Sequence, residues 1–486
     1  CPLSTIPRDA KITAVHGSPL QACSESQHPQ DRLAPFAIPS AADPALRDFL
    51  HRSSDLLCRW IGSADRSSPV PVMRPLPDVA PGAEGASVES LLSDLQQVMD
   101  GAYQPSHPGA LAHLDPPPLT ASIAAELVCA GLNNNLLAEE LSPGLTGLEH
   151  DLCRWFCHRI GLPTGSGGVL ASGGTLSNLM ALVAARAALG STQLDPVLLC
   201  SQDAHVSINK AARVMGLAED ALQTLPVAPD GGLCLEALAD RLTTLQAQGR
   251  PCLAVVATAG TTVRGAIDPL SDLATLCRDA GVWLHVDAAI GGVFALSASH
   301  APLMCGIDKA DSITLNPQKL LGITKASSLL LLRDRTHLRQ AFATGLPYMQ
   351  EPTGMDHGGE IGLQGTRPAE ILKLWLGLRQ LGETGIEAIL SEALRRRAAF
   401  AALLDPEKLT LLSGDLHLLA FQSKQGGIDA AARWSEETRQ MLLSKGYMLS
   451  RPFYGDRFCL KAVFGNPHTT AQHLSDLSDR LNGSLA

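Results

Sequence analysis

Aromatic residues are scarce in this chain. Phe, Trp and Tyr make up 4% of its 486 residues, so Ala, Leu and Val must fill most of the core. Positive charge is not concentrated in any run, and the formal net charge is −10. This balance argues against nucleic acid or an anionic membrane surface as the main partner. No apolar run approaches the roughly 20 residues that a bilayer-spanning helix needs.

Cysteines at CxxC spacing are also missing, although the chain has twelve cysteines. Cys153, Cys157 and His158 lie close together, but they belong to a helical pattern and no second ligand pair follows at finger-like spacing. We therefore expect thiols here and no metal site. The N-terminal residues lack the basic region and apolar core of a secretory signal, so we expect a reducing, cytoplasmic location.

Strand and helix patterns alternate in the middle of the chain. Short apolar runs suited to strands buried on both faces occur at 197–200, 252–258, 282–286, 312–315 and 327–332. Between the second and third runs, SDLATLCRDAG is amphipathic and stops at Gly281, which completes a βαβ unit. The predicted class is α/β, with a mainly parallel sheet and helices on both faces.

Three domains are predicted from the changes in composition. Residues 1–106 contain a loosely ordered arm and two helices, at 43–60 and 87–99, the second with Ser87 as N-cap. Residues 107–385 form the large α/β domain, whose last helix ends at Gly382. Residues 386–486 form a small α+β domain with strands at 409–412, 416–422 and 458–463.

Ligands of open parallel sheets bind beyond the carboxyl ends of the strands, so the residues that follow each strand are the candidates for a site. Gly173, Gly174 and Thr175 join a strand-like GVLAS to a helix, an arrangement that exposes backbone N–H groups to a phosphate. The spacing fits neither the dinucleotide fingerprint nor a P-loop. A glycine turn with a Thr cap is the structural alternative.

Three further side chains follow predicted strands. Asp287 lies at the end of an apolar strand, where a carboxylate needs a cation or donor such as a pyridinium nitrogen; a capping role is the alternative. Lys319 follows the next strand among apolar residues, where a lowered pKa would favour Schiff-base formation over a solvated surface role. His205 follows the strand at 197–200 and could stack on a cofactor ring or cap a helix.

The motifs SGGTLSN, DAH, TAGTTxxGAIDP, HVDAA, NPQK and QGTRPAEILKLWLGL occur in this order. Together they resemble the group II pyridoxal-phosphate-dependent amino acid decarboxylases over about residues 90 to 480. The resemblance implies the fold-type I, aspartate-aminotransferase-like architecture, pyridoxal 5′-phosphate as cofactor, a small amino acid substrate, and a homodimer with the active site at the subunit interface.

The resemblance also implies roles for individual residues. Lys319 matches the Schiff-base lysine, Asp287 the partner of the pyridine nitrogen, and His205 the histidine stacked on the ring. Arg367 matches an arginine that engages a substrate carboxylate. The remaining cofactor contacts implied are Gly173, Gly174, Thr175, Thr262, Ala289, Asn316 and Gln318.

Two departures from the family pattern affect the reaction. Gln318 stands where many members have His, but it can still donate to a phosphate oxygen. Several members protonate the carbanion with a loop tyrosine, whereas Tyr348, the only tyrosine of the corresponding loop at about 347–362, lies too early. His357 or His205 is the alternative acid. Transamination or aldehyde formation on the same fold therefore remains open, as does a non-catalytic scaffold, which the intact Lys319–Asp287–His205 set argues against.

The substrate is predicted from residues 107–143, which occupy the place of the family's substrate pocket. The stretch NNNLLAEELSP is closer to the glutamate branch, and AHLDPPP is closer to the diaminobutyrate branch. We expect a small polar aliphatic amino acid of the glutamate, aspartate or 2,4-diaminobutyrate type.

Overall fold

The computed structural model describes residues 32–190, 195–345, 352 and 354–485. The described residues form two compact units, one made of residues 32–60 with 72–102 and the other of residues 61–71 with the described residues from 103 onward. Most of the predicted N-terminal arm, and Tyr348 of the predicted loop, lie outside the described residues. Within the described ranges, no helix combines the length and apolarity that crossing a membrane requires.

Two helices dominate the N-terminal part, close to the positions predicted. They are α1 (Pro44–Ile61) and α2 (Val88–Asp100). Ser87 caps α2 as expected, because its side-chain oxygen accepts a hydrogen bond from the N–H of Ser90. Arg52 of α1 and Glu89 of α2 form an exposed ion pair at 2.5 Å.

The second unit is built on a seven-stranded sheet. Its strands are β1 (Gly167–Ala171), β2 (Val197–Ser201), β3 (Leu222–Leu225), β4 (Cys252–Thr258), β5 (Trp283–Ala288), β6 (Ser312–Leu315) and β7 (Ser328–Leu332). Their spatial order is β1-β7-β6-β5-β4-β2-β3. The five strands from β2 to β6 run parallel, and β7 runs antiparallel to both β1 and β6. The sheet is thus mainly parallel, as predicted.

Helices of the second unit surround this sheet, and some of them pack directly on its two faces. These helices are α3 (Thr120–Leu132), α4 (Pro143–Ile160), α5 (Gly174–Leu189), α6 (Ser207–Val214), α7 (Leu235–Gln248), α8 (Leu270–Ala280), α9 (Thr336–Phe342) and α10 (Ile371–Leu403). The central strand β4 shows why both faces must be apolar. Val255 and Ala257 belong to the apolar cluster that includes residues of α7 and α8. Ala254 and Val256 belong to the cluster formed with α5 and α6.

The C-terminal residues contain five further strands: β8 (Leu409–Ser413), β9 (Leu418–Ser423), β10 (Phe453–Tyr454), β11 (Arg457–Phe458) and β12 (Leu460–Val463). Three of them form a second, antiparallel sheet in the order β12-β9-β8, and β10 and β11 form a hairpin. Two helices complete this region, α11 (Ile428–Ser444) and α12 (Ala471–Gly483). Gly382 breaks the helical backbone as predicted, with φ 60° and ψ −178°, but helix resumes beyond it and α10 continues to Leu403. The boundary predicted at 385/386 lies within the range of α10, and the three-domain division stays a prediction.

Candidate active site

A cavity of about 180 Å³ lies at the carboxyl ends of β4, β5 and β6. Strands of this parallel sheet leave their final residues at one edge, which brings distant parts of the sequence together. The cavity is lined by Gly174, Thr175, Asn178, His205, Thr258, Gly260, Thr262, Asp287, Ala289, Ile290, Asn316 and Lys319. Most of the residues predicted to form the site thus meet in one place.

Asp287 is the buried carboxylate of the cavity. Strand register places it between Thr258 of β4 and Thr314 of β6. One carboxylate oxygen accepts a hydrogen bond from Nδ2 of Asn178 at 2.8 Å, and the other accepts from the N–H of Ala289 at 3.2 Å. These donors fix the plane of the carboxylate and leave lone pairs that can accept from a protonated ring nitrogen.

Lys319 lies in the turn that follows β6. Its N–H donates to the carbonyl of Asn316 at 3.0 Å, and its own carbonyl accepts from Gly322 at 3.1 Å. Burial lowers the pKa of Lys319, while the charge of Asp287 opposes that change. Within the part of the chain that the structure describes, its Nζ has no hydrogen-bond partner, so the amine is available to react with a carbonyl.

His205 lies at the exposed mouth of the cavity. The backbone N–H of Ser207 donates to its Nδ1 at 3.2 Å, so the neutral ring carries its proton on Nε2. Partial desolvation lowers the pKa of His205, with the charge of Asp287 opposing. The ring is therefore neutral at pH 7, and it can lie against a flat ligand.

The N-terminus of α5 supplies the anion-binding edge of the cavity. Gly173 precedes the helix, and its carbonyl accepts from Leu176 and Ser177, which leaves the N–H groups of Gly174 and Thr175 facing the cavity edge. A Cβ added to Gly174 would lie 3.1 Å from Nδ2 of Asn316, so a larger residue would crowd this edge.

These features fit pyridoxal 5′-phosphate. Lys319 provides an amine for its aldehyde, Asp287 a carboxylate for its ring nitrogen, and the N-terminus of α5 a place for its phosphate. The hydroxyl of Thr258 is buried in the cavity wall with no partner among the described residues, which leaves a polar atom for a ligand. Nowhere in the described ranges do three or more His, Cys, Asp or Glu side chains group as metal ligands would.

Gln318 and Arg367 are not brought to the cavity wall. The side-chain oxygen of Gln318 accepts from the N–H of Ser327 instead. Arg367 is buried beside a separate small cavity, and its two terminal nitrogens both contact the carboxylate of Glu149 on α4. In this structure Arg367 is paired with a carboxylate of the chain itself, and the substrate-carboxylate role expected for it stays a prediction.

The structure adds residues that the sequence did not single out. Lys461 of β12 is buried, and its Nζ donates to the carbonyl of Thr262 at 3.1 Å. Burial lowers the pKa of Lys461 to about 8. His417, just before β9, is also buried, and burial lowers its pKa to about 3, so it is neutral. The signal for Lys461 was available, because it is the one charge within the strand LKAV.

Comparisons with known proteins agree with this chemistry. The family model described as the pyridoxal-dependent decarboxylase conserved domain matches residues 69–419. An L-2,4-diaminobutyrate decarboxylase of Rhizobium meliloti (strain 1021) is 32% identical over 418 residues, which cover 84% of this chain and 83% of that protein. A cysteine sulfinic acid decarboxylase of Rattus norvegicus is 30% identical over 393 residues, which cover 75% of this chain and 77% of that protein.

The fold comparison gives the same architecture. A crystal structure of Oryza sativa TDC with PLP and tryptamine superposes with a TM-score of 0.86 at 22% identity, covering 93% of this chain and all of that one. At this identity the likeness establishes the fold, which is the fold-type I architecture predicted. With the family match and the two relatives, it leads to one conclusion: the chain belongs to the pyridoxal-dependent decarboxylase family and is a carboxy-lyase that uses pyridoxal 5′-phosphate to decarboxylate an amino acid.

Proposed function

We propose that the chain removes the α-carboxylate of a small polar aliphatic amino acid, with the cofactor bound covalently to Lys319. The observation that carries this proposal is the meeting of a reactive amine, a buried carboxylate and an anion-binding helix end in one cavity. When bound, the cofactor accepts the electron pair left on the α-carbon as CO₂ departs.

Each side chain of the cavity then has a defined role. Asp287 would hold a proton on the ring nitrogen of the cofactor. His205 would cover one face of the ring, and Ala289 would leave room on the other. Gly174 and Thr175 would hold the phosphate through backbone N–H groups and the helix dipole.

Orientation decides which bond of the substrate breaks, because the scissile bond must stand perpendicular to the ring. A cation is needed to hold a substrate carboxylate. Arg367 is occupied by Glu149, whereas Lys461 donates to Thr262 in the cavity wall. We therefore assign this positioning to Lys461 in place of Arg367.

Residues 112–119 (AHLDPPPL) pack along the turn that carries Lys319. The N–H of Leu119 donates to the carbonyl of Gly322 at 2.8 Å, and Asp115 forms an ion pair with Lys325 at 2.9 Å. The carboxylate of this segment is paired with a cation that follows the Lys319 turn, and acidic and dibasic side chains are both kept as candidates. The L-2,4-diaminobutyrate and cysteine sulfinic acid decarboxylases among the relatives span the same two classes.

A homodimer in a reducing, cytoplasmic location completes the proposal. Val206, which follows His205 at the cavity mouth, is 73% exposed, and Leu127, Val128 and Leu132 of α3 are each about half exposed. Such apolar surface favours contact with a second copy. The ten cysteines among the described residues are all free thiols, as a reducing compartment favours.

Product analysis with a panel of amino acids tests the proposal. The panel contains glutamate, aspartate, cysteine sulfinate, 2,4-diaminobutyrate, phenylalanine and tryptophan. We expect equal amounts of CO₂ and primary amine from one of the polar aliphatic substrates, and little from the aromatic ones. A keto acid without CO₂ would identify transamination, and an aldehyde with ammonia would identify oxidative deamination; either would contradict the proposed reaction.

A further inference from the structure

A chain of hydrogen bonds runs through the protein interior to the buried carboxylate of the active site. Nε1 of Trp283 lies 2.8 Å from Oγ of Ser312, which lies 2.9 Å from Nδ1 of His285. Nε2 of His285 lies 3.0 Å from Oδ1 of Asn178, and Nδ2 of Asn178 lies 2.8 Å from Oδ2 of Asp287. Ser312, His285 and Asn178 are at most 1% exposed.

The donor and acceptor of each hydrogen bond in this series follow from the groups at its two ends, the indole of Trp283 and the carboxylate of Asp287. An indole N–H can only donate, so the hydroxyl of Ser312 accepts from Trp283 and gives its own proton to Nδ1 of His285. The proton of His285 is then on Nε2 and is donated to Asn178. Burial lowers the pKa of His285 to about 4, which agrees with a neutral ring. All donors therefore point toward Asp287, an arrangement in which each bond polarises the next.

The same amide group also reaches His205. Nδ2 of Asn178 donates to Oγ of Ser207 at 2.8 Å, and that hydroxyl lies 2.9 Å from Nδ1 of His205. The two hydrogens of one amide thus fix the carboxylate that meets the cofactor's ring nitrogen and, through Ser207, the imidazole at the cavity mouth. Asn178 itself belongs to α5, the helix whose N-terminus would hold the phosphate.

We propose that Asn178 is the positioning residue that orients Asp287 and His205 around the cofactor, and that His285 orients Asn178. The inference rests on the proposed function, because it requires the cofactor on Lys319 with its ring nitrogen at Asp287. A neutral amide suits this role because it favours the ionised carboxylate by donating to it, yet it adds no positive charge that would compete with the ring nitrogen.

The test uses purified protein, freed of cofactor and reloaded with pyridoxal 5′-phosphate carrying ¹⁵N in its ring. Asn178→Asp keeps the volume but replaces the donor with an acceptor, and Asn178→Leu removes both functions. We expect the ¹⁵N signal to move from the protonated toward the unprotonated position in both variants, and the cofactor dissociation constant to rise about tenfold. His285→Leu should shift both quantities the same way, by less.

Leu182→Met is the matched control, a volume-conserving change of a fully buried residue on the same helix, and it should leave both quantities unchanged. A wild-type signal and dissociation constant in the Asn178→Asp and Asn178→Leu proteins would overturn the proposal, even if the thermal midpoint of the cofactor-free protein fell. If the ¹⁵N signal and the cofactor dissociation constant of His285→Leu equalled those of the wild type, the supporting role of His285 would be overturned. If wild-type protein itself took up no cofactor at Lys319, the proposed function would fail instead.

Discussion

Arg367 and Glu149 form a buried, two-pronged ion pair. Nη1 lies 2.6 Å from Oε2, Nη2 lies 2.7 Å from Oε1, and the two side chains are 6% and 5% exposed. Glu149 also accepts from the N–H of Leu170 at 3.4 Å, so the pair connects α4, β1 and the segment before α10. Two parallel charge-assisted hydrogen bonds of this kind hold the guanidinium on Glu149, and each terminal nitrogen keeps a second N–H.

Replacing one partner of this pair should destabilise the protein, since the other charge stays buried without compensation. We expect Arg367→Met and Glu149→Met each to lower the free energy of unfolding by about 3–5 kcal/mol, and the double variant to lower it by less than the sum. Urea denaturation of the cofactor-free proteins measures this. Unchanged stability in Arg367→Met, together with a large rise in substrate KM, would restore the substrate-binding role.

Substrate binding should depend on the protonation of Lys461. Its pKa is lowered from 10.5 to about 8, so the amine carries its charge below pH 8 and loses it above. If it holds the substrate carboxylate, KM should rise by up to about tenfold per pH unit above 8. In Lys461→Arg the charge persists, and KM should stay nearly flat between pH 7 and 9.5. Steady-state kinetics across this range provides the measurement, and the variant controls for titration of the substrate's own amine. Identical pH profiles of KM for the wild type and Lys461→Arg would rule out that Lys461 holds the substrate carboxylate.

The ring of His205 should contribute to cofactor binding mainly through its flat face. His205→Phe keeps such a face, whereas His205→Ala removes it, so we expect the alanine variant alone to bind pyridoxal 5′-phosphate about tenfold more weakly. Fluorescence quenching on titration of the cofactor-free protein measures both constants. Equal affinities for the two variants would show that the imidazole does not stack.

The sequence predicted the parts of the fold that local pattern determines. The bounds predicted for the strand at 252–258 agree with those of β4, because its apolar run CLAVVAT is preceded by Gly249 and Pro251 and followed by Gly260. Strand β3 was missed, since LQTL has one buried residue and no clear period. The antiparallel direction of β7 was also not predicted, because strand direction depends on how the connection to β6 folds back.

In the active site, too, some features follow from the local sequence pattern and others do not. Asp287 lies at the end of β5, and Lys319 and His205 lie in the connections that follow β6 and β2, so the geometry of a parallel sheet is enough to bring them together. The pairing of Arg367 with Glu149 could not be predicted, because the two residues are 218 positions apart and only the folded chain shows that they meet. Asn178 and His285 lie within motifs of the family resemblance, yet their roles come from hydrogen bonds between helix and sheet that have no local sequence pattern.

Covalent capture of the cofactor tests the central claim most directly. Protein loaded with pyridoxal 5′-phosphate is reduced with borohydride, digested, and mapped by mass spectrometry, with Lys319→Ala and Lys461→Ala treated in parallel. We predict yellow wild-type protein with the reduced cofactor on Lys319, no label in Lys319→Ala, and a label on Lys319 in Lys461→Ala. A label on Lys461, or no uptake of the cofactor, would contradict the account.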